Sequence, residues 1–310
     1  MSQHAPRVSV VIPTIKRPDG LTRAIDSILL QESVPEDDAE IVVVDNDPEG
    51  SAEQVVHRFN NSRFALRYVH APSPGVANAR NAAISAINSR LIAFLDDDES
   101  APPTWLATLL NAHEQYNAAV TFGPVITALP ADNLEHAEYL KAFFARKGPE
   151  ASGVIDDFYG CGNSLFDMEQ MPEGRPLFDT RANETGGEDD FLFHKLDDLG
   201  KRFAWAADAS VLEHVPASRA TLRYTLRRSF AYGQSPSTMC VSGDRFNLPG
   251  LLFWMAVGLG QGAVYGCVAL AMMLVRAKRR AFWYDKTMQG IGKVLWFGPF
   301  EFKFYGLHAT

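Results

Sequence analysis

This 310-residue chain has only three cysteines, Cys161, Cys240 and Cys267, and they lie far apart. They form no disulfide framework and have no zinc-ligand spacing, so a reducing compartment fits. Positive charge is also in short supply. A net charge of −8 argues against a nucleic-acid binder, which is usually basic. The N-terminus, MSQHAPRVSVVIP, has no long apolar run behind a basic start, and no signal peptide is expected. The loop after the first apolar run, TIKRPDG, lacks the GxGxxG of a dinucleotide-binding turn. One further absence is long: no charged residue occurs between Phe246 and Val275.

What is present suits a chain that buries a core, with 46% hydrophobic and 21% charged residues. β-rich apolar runs at 8–12, 41–44, 66–69 and 91–95 alternate with helical patterns at 18–31, 52–60, 76–88 and 102–116. Pro102 and Pro103 suit the first turn of the last of these helices. Apolar strands separated by helices predict a parallel sheet covered on both faces, a doubly wound α/β domain. Beyond residue 120 the pattern loosens. Helices are expected at 132–147 and 187–199, and strands at 201–206 and 210–215.

The run LIAFLDDDES carries Asp96, Asp97, Asp98 and Glu99 off the end of a strand. Two like charges ~5 Å apart repel by roughly 3 kcal/mol at an effective dielectric near 20, so a cationic partner is needed. If the chain stays extended, Asp96 and Asp98 share one side and Asp97 takes the other. Such a pair suits a hard divalent cation, Mg²⁺ or Mn²⁺. A solvated helix start is the alternative. Ligands of doubly wound sheets bind at the carboxyl ends of strands, which favours the cation. The other loops at that edge hold Pro13, Thr14, Lys16 and Arg17, then Asp45, then Asn78, Arg80 and Asn81. A carboxylate for a base or ribose, cations for phosphates and acids for a metal together suit a nucleoside diphosphate.

The segments VSVVIPTIKRP, IVVVDND, GVANARNAAI, LIAFLDDDESAPPTWL and GGEDDFLFHKL, in that order, resemble the family 2 glycosyltransferases of GT-A fold, in particular their bacterial polysaccharide-assembly branch. The resemblance covers roughly residues 8–233. It implies that Pro13, Thr14 and Arg17 lie against the nucleotide and that Asp45 recognises the base. Arg80 would steady the nucleotide. Asp96 and Asp98 match the DxD motif for ribose and metal–diphosphate, with Asp97 as middle acid. Asn163 matches a position near the sugar or acceptor pocket, and Trp105 a core position. His214 would complete the metal and phosphate shell or serve a structural role. Asp189 matches the usual catalytic base, with Glu188 as alternative base or acceptor-binding acid and Asp190 beside them. Such a base fits one inverting displacement. The implied activity is metal-assisted transfer of a sugar, from a nucleotide sugar, most simply UDP-linked, to a hydroxyl of a lipid-linked or growing cell-surface glycan. The alternatives are a sugar-phosphate nucleotidyltransferase, whose glycine-rich loop is missing here, and a non-catalytic nucleotide- or glycan-binding subunit.

Basic residues flank the uncharged segment on both sides: Arg223, Arg227, Arg228 and Arg245 before, Arg276, Lys278, Arg279 and Arg280 after. Arg227 and Arg228 could meet a diphosphate or lipid headgroups. One helix over 248–275 would be about 42 Å long, enough for a tilted crossing of a ~30 Å core, yet the symmetric flanks give no orientation. Gly258, Gly260, Gln261 and Gly262 stand mid-segment, where a bend would fall. The expectation is a re-entrant or interfacial hairpin with both ends on the cytoplasmic face of the bacterial inner membrane. The expected division is 1–235 for the GT-A domain, with 1–120 as nucleotide half and 121–235 as acceptor half. A membrane-associated region would occupy 236–310.

Overall fold

The computed structural model describes residues 5–59, 62–131, 134–183, 186–242, 246–300 and 302. Arg245, and residues 60, 132 and 133 of two expected helices, lie outside the described residues. In chain order the elements are β1 (Val8–Thr14), α1 (Pro18–Leu29), β2 (Ala39–Asp45), α2 (Glu53–His57), β3 (Ala65–His70), α3 (Val76–Ala86), β4 (Leu91–Phe94), β5 (Glu99–Ser100) and α4 (Trp105–Tyr116). There follow β6 (Val120–Phe122), β7 (Val125–Ala128), α5 (Ala137–Phe144), β8 (Gly153–Ile155), β9 (Ser164–Asp167), α6 (Glu188–Asp198), β10 (Phe203–Trp205) and β11 (Val211–His214). The chain closes with α7 (Leu222–Ser242), α8 (Leu248–Leu274) and α9 (Arg280–Val294).

The contacts divide the chain into two compact units, described residues 5–126 with 145–214, and residues 127–144 with 215–302. A boundary at 235 would fall inside the continuous helix α7. In the first unit an eight-stranded sheet runs β3-β2-β1-β4-β9-β6-β10-β8. Strands β1 to β4 pair in parallel, as expected. The sheet as a whole is mixed, because β9 enters antiparallel between β4 and β6. Alternation along β1 sends Val8, Val10 and Ile12 to one apolar layer and Val11 to the other. The first layer takes Leu21 and Ile25 of α1 and Trp105 and Leu109 of α4; the second takes Ala83 of α3 and Phe193 of α6. With both faces covered, only the strand ends are left to carry polar chemistry.

Two expected helices are corrected. Pro102 and Pro103 precede α4, where the Trp105 amide closes a turn onto the Pro102 carbonyl at 3.0 Å. The helix expected over 132–147 shrinks to α5, because Arg146 leaves it for an antiparallel bridge with Val125.

In the second unit the uncharged segment forms one unbroken helix, α8, so the expected bend is absent. The glycines serve packing instead. Gly258, Gly262 and Gly266 recur every fourth residue, on the face that meets α9. A Cβ on Gly290 of α9 would strike the Gly262 amide, the Gly258 carbonyl and the Gln261 backbone, whereas one on Gly260 would meet nothing within 4 Å.

These two glycines give a paired prediction. Gly290→Ala should destabilise the chain by about 1–3 kcal/mol, since backbone on a facing helix has nowhere to move. Gly260→Ala should be neutral or stabilise by up to about 1 kcal/mol through helix propensity. Thermal unfolding of the two variants in detergent checks the contrast, and equal shifts would refute the packing role.

Candidate active site

Strand β4 ends beside β1, where the Leu95 amide reaches the Val11 carbonyl at 3.0 Å. The chain then turns. The Glu99 amide bonds the Asp96 carbonyl at 3.0 Å, and the Asp96 amide bonds Glu99 Oε2 at 2.9 Å. The turn separates the three aspartates. Asp97 is buried and faces β1, accepting from Thr14 Oγ1 at 2.7 Å and Arg17 Nη1 at 2.8 Å. The same Arg17 nitrogen donates to Asp98 Oδ2 at 2.8 Å. Burial pushes the Asp97 carboxyl up to about 6, against the pull of Arg17. Burial works against the charge of Arg17, but Asp97 and Asp98 outweigh it and raise its pKa. Asp96 and Asp98 are partly exposed. Asp96 is raised by burial and by the nearby charge of Asp98, with Arg80 and Arg146 opposing. Glu99 is raised well above the usual range by burial and then by Asp96.

The second acidic cluster opens α6, where the helix dipole favours it. Glu188 is buried against Arg80 of α3 in an ion pair. Arg80 also lies over the Phe178 ring, 5.6 Å from its centroid. Asp189 keeps 17% of its side chain exposed and stands 4.0 Å from Arg80 Nη1. The Cys161 amide donates to its Oδ2 at 3.0 Å and the Asp190 amide to its Oδ1 at 3.1 Å. Asp190 is exposed as a residue, yet partial desolvation of its carboxyl and then the charge of Asp189 push its pKa up to about 6.

The segment entering β9 joins the two clusters. While Cys161 holds Asp189, a Cβ on Gly162 would collide with the Asp96 carboxylate, so a larger residue there would push that carboxylate aside. Chain segments some 90 residues apart are thereby brought against two adjacent residues, Cys161 and Gly162. Arg146 completes the join. Its guanidinium donates to the carbonyls of Gly162 and Asn163. Burial lowers its pKa, while Glu99, Asp96 and Asp189 favour its charge.

The remaining candidates have definite places. Pro13 and Thr14 end β1, in register with Val44 and Asp45 of β2. Asp45 is fully buried and shapes the loop behind it, accepting from the amides of Ala52 at 2.6 Å and Asp47 at 3.0 Å and from the Tyr68 hydroxyl at 3.1 Å. Asn163 is fully buried too. It accepts from Trp105 Nε1 at 2.7 Å and donates to the carbonyls of Pro124 and Ala209 at 2.7 and 2.9 Å. That commits its amide to the scaffold, as a support beneath Gly162. Trp105 is core, as expected. His214 ends β11, beside β5; its amide donates to the Asp98 carbonyl at 2.7 Å and its Nε2 shares a hydrogen bond with Ser100 Oγ at 2.8 Å. Its pKa is lowered by burial and then by Arg23, so the ring is neutral near pH 7. Arg227 and Arg228 belong to the second unit, over the rings of Phe302 and Tyr232. Cys161 is no nucleophile, because burial pushes its thiol up to about 12.

Sequence reasoning missed Arg146. An arginine after an apolar helical run reads as a partner for the helix end, and only the bridge to Val125 turns it inward. It also missed the backbone of Cys161 and Gly162, for which the one signal was the glycine pair in YGCGNS.

The sequence model described as Glycosyl transferase family 2 matches residues 9–180, more than half of the chain. The chain belongs to that family. It is similar to the succinoglycan biosynthesis protein ExoM of Rhizobium meliloti (strain 1021), 29% identical over 229 residues, which are 74% of this chain and 73% of ExoM. The validoxylamine A glucosyltransferase of Streptomyces hygroscopicus subsp. limoneus is 35% identical over 114 residues, 36% of this chain and 25% of that one. Among solved structures, the mannosyltransferase PcManGT from Pyrobaculum calidifontis, in complex with GDP-Man and Mn²⁺, aligns with a TM-score of 0.59 at 22% identity, over 94% of this chain and 88% of that one. S. aureus TarS 1–349 in complex with UDP aligns at 0.54 and 16% identity, over 93% and 90%. The fold is GT-A, and the chain is a glycosyltransferase. The nucleotidyltransferase alternative falls away.

The buried Asp97 of this glycosyltransferase sets a pH dependence. Its folded pKa of about 6 exceeds the unfolded value near 3.9, so its contribution to stability is present below pH ~4 and is lost as pH rises through 6. About two units correspond to roughly 3 kcal/mol. Urea unfolding from pH 4 to 7 should show the wild type losing about that much more stability than Asp97→Asn. Parallel curves would show that Asp97 is not desolvated.

Proposed function

We propose that this glycosyltransferase transfers a sugar from a UDP-sugar to an acceptor hydroxyl with inversion, using Asp189 as base. The observation that carries the reading is the meeting of both acidic clusters at two adjacent residues, where Cys161 holds Asp189 and Gly162 lies against Asp96. Asp189 is the less buried acid of its pair, and two amides fix its carboxylate. Glu188, paired with Arg80, positions the start of α6 and leaves the proton to Asp189. The acceptor hydroxyl gives its proton to Asp189 as its oxygen bonds the anomeric carbon, and the bond from that carbon to the diphosphate oxygen breaks. One displacement of this kind inverts the centre and needs no covalent sugar–enzyme intermediate.

A divalent cation fits the other cluster. Asp96 and Asp98 are hard oxygen donors whose mutual repulsion a cation would relieve. Among the described residues no group of three His, Cys, Asp or Glu is gathered to hold a metal alone. That suits Mg²⁺ or Mn²⁺, which take one or two carboxylates and complete their shell with substrate phosphates and water. When bound, the cation would neutralise the diphosphate and ease its departure. PcManGT in complex with GDP-Man and Mn²⁺ supports the cation by fold, and TarS in complex with UDP supports the nucleotide. His214, whose amide bonds the Asp98 carbonyl, would orient that turn or join the shell. Arg17 would turn from Asp97 and Asp98 towards the phosphates, with Thr14 and Pro13 beside the nucleotide. Asp45 would act on the base through the loop it shapes, and Arg80 and Arg146 would hold the acids in place.

The acceptor we favour is a lipid-linked or growing cell-surface glycan. The similarity to ExoM and the long apolar helix α8 support it. Three free cysteines support the cytoplasmic face of a bacterial inner membrane.

UDP release should be followed across a panel of UDP-sugars, with membrane lipid extract as acceptor and with or without Mn²⁺. Release that needs both the metal and one sugar is the expected result. Asp189→Asn should cut transfer by about 10²–10⁴-fold, the usual weight of a general base, while UDP affinity changes less than about threefold. Near-wild-type turnover in that variant refutes the base.

A further inference from the structure

Helix α8 presents an apolar surface that no other described element covers. Leu252, Phe253, Leu259, Val264, Leu270 and Leu274 are 55–74% exposed, and they lie away from the glycine face that packs on α9. An apolar stripe of about 40 Å requires a non-aqueous neighbour. Length alone would let α8 cross a membrane, but its packing speaks against a crossing. Against the middle of α8 lies α9: Gln261 Nε2 donates to the Lys286 carbonyl at 2.8 Å, Tyr265 meets Trp283 ring to ring at 5.7 Å, and Gly258 abuts Gly290 and Lys293. A crossing would carry the exposed ammonium of Lys286 to the bilayer midplane with it. It would also submerge α9, which at 15 residues and about 22 Å is too short for a ~30 Å core. Asp285 of α9 is in turn bonded to Tyr139 of α5 and Ser229 of α7, so those helices would follow.

We propose that α8 lies flat in one leaflet of an anionic membrane, its exposed stripe among the acyl chains and its C-terminal turn among the headgroups. Arg276, Lys278 and Arg279 follow that turn directly, and Arg280 opens α9. Arg279 and Arg280 are matched by Glu138 and Glu135. Arg276 and Lys278 are exposed, and among the described residues neither has an acidic partner within 4.0 Å. Beside them a cavity of about 510 Å³ is walled by Met272, Phe282 and Trp283 and bordered by Lys278 and Arg279. Apolar walls under a cationic rim suit the glycerol and phosphate of an anionic phospholipid. This deepens the membrane attachment proposed above and rests on it. Vesicle binding is read without sugar transfer, so its failure would leave the catalytic reading standing.

The test uses the full chain in two assays. In flotation, vesicles of phosphatidylcholine with 30% phosphatidylglycerol should bind it about tenfold more tightly than phosphatidylcholine alone. Arg276→Gln with Lys278→Gln should remove that preference, and Val264→Glu with Leu270→Glu should weaken binding about tenfold or more. The first pair sits on exposed positions and keeps the test valid should the second misfold. In sealed membrane vesicles from an expressing bacterium, cysteines placed by Asn247→Cys or Ala277→Cys in a Cys267→Ser background should react alike with a membrane-impermeant maleimide. Protection of one end alone means that α8 spans, which overturns the proposal. Equal binding to both lipid mixtures, or none to either, overturns the anionic assignment.

Discussion

Six carboxylates, those of Asp96, Asp97, Asp98, Glu99, Glu188 and Asp189, gather at one edge of the sheet, and the fold tolerates them because three arginines reach in among them. Arg17 joins Asp97 to Asp98, Arg80 pairs with Glu188, and Arg146 sits within the field of Glu99, Asp96 and Asp189. Breaking a buried pair of this sort typically costs about 3–5 kcal/mol, since it leaves one charge uncompensated. The same balance prepares the site for chemistry. Arg17 and Arg80 each pair with an acid, and Arg146 anchors the backbone of Gly162 and Asn163 between the two clusters.

The sheet exists to deliver those groups. Parallel strands β1, β2 and β4 end together, which puts Thr14, Asp45 and Asp96 at one edge. The segment leading into the antiparallel strand β9 runs along that edge and presents backbone where the loops present side chains. Its Cys161 amide and Gly162 Cα are contacts that a side-chain motif search does not see. Asn163 and Trp105, deep in the core, set how close that strand approaches.

Much of the first half was legible in sequence because its physics is local. Unbroken apolar runs such as IVVV are strands buried on both faces, and acids after them mark the ligand edge. The split between Asp97 and its neighbours was also foreseeable, although a turn produces it and not an extended strand. What escaped depends on distant partners. Ser164 to Asp167 is too short and mixed to announce a central strand, and Arg146 becomes a site residue only through a pairing 21 positions away. The inward hydrogen bonds of Asn163 were equally hidden, since composition does not reveal its partners Trp105, Pro124 and Ala209. The glycines of α8 misled for a similar reason. A glycine cluster reads as a bend until the helix that packs against it is known.

The proposed chemistry requires the two acidic clusters to form one site. A crystal structure of the chain with UDP and Mn²⁺ tests this most directly. The ion should lie between the diphosphate and the carboxylates of Asp96 and Asp98, with Asp189 across the open space where the sugar would stand. Nucleotide bound away from the Asp96 turn, or Asp189 directed into the protein interior, would contradict it.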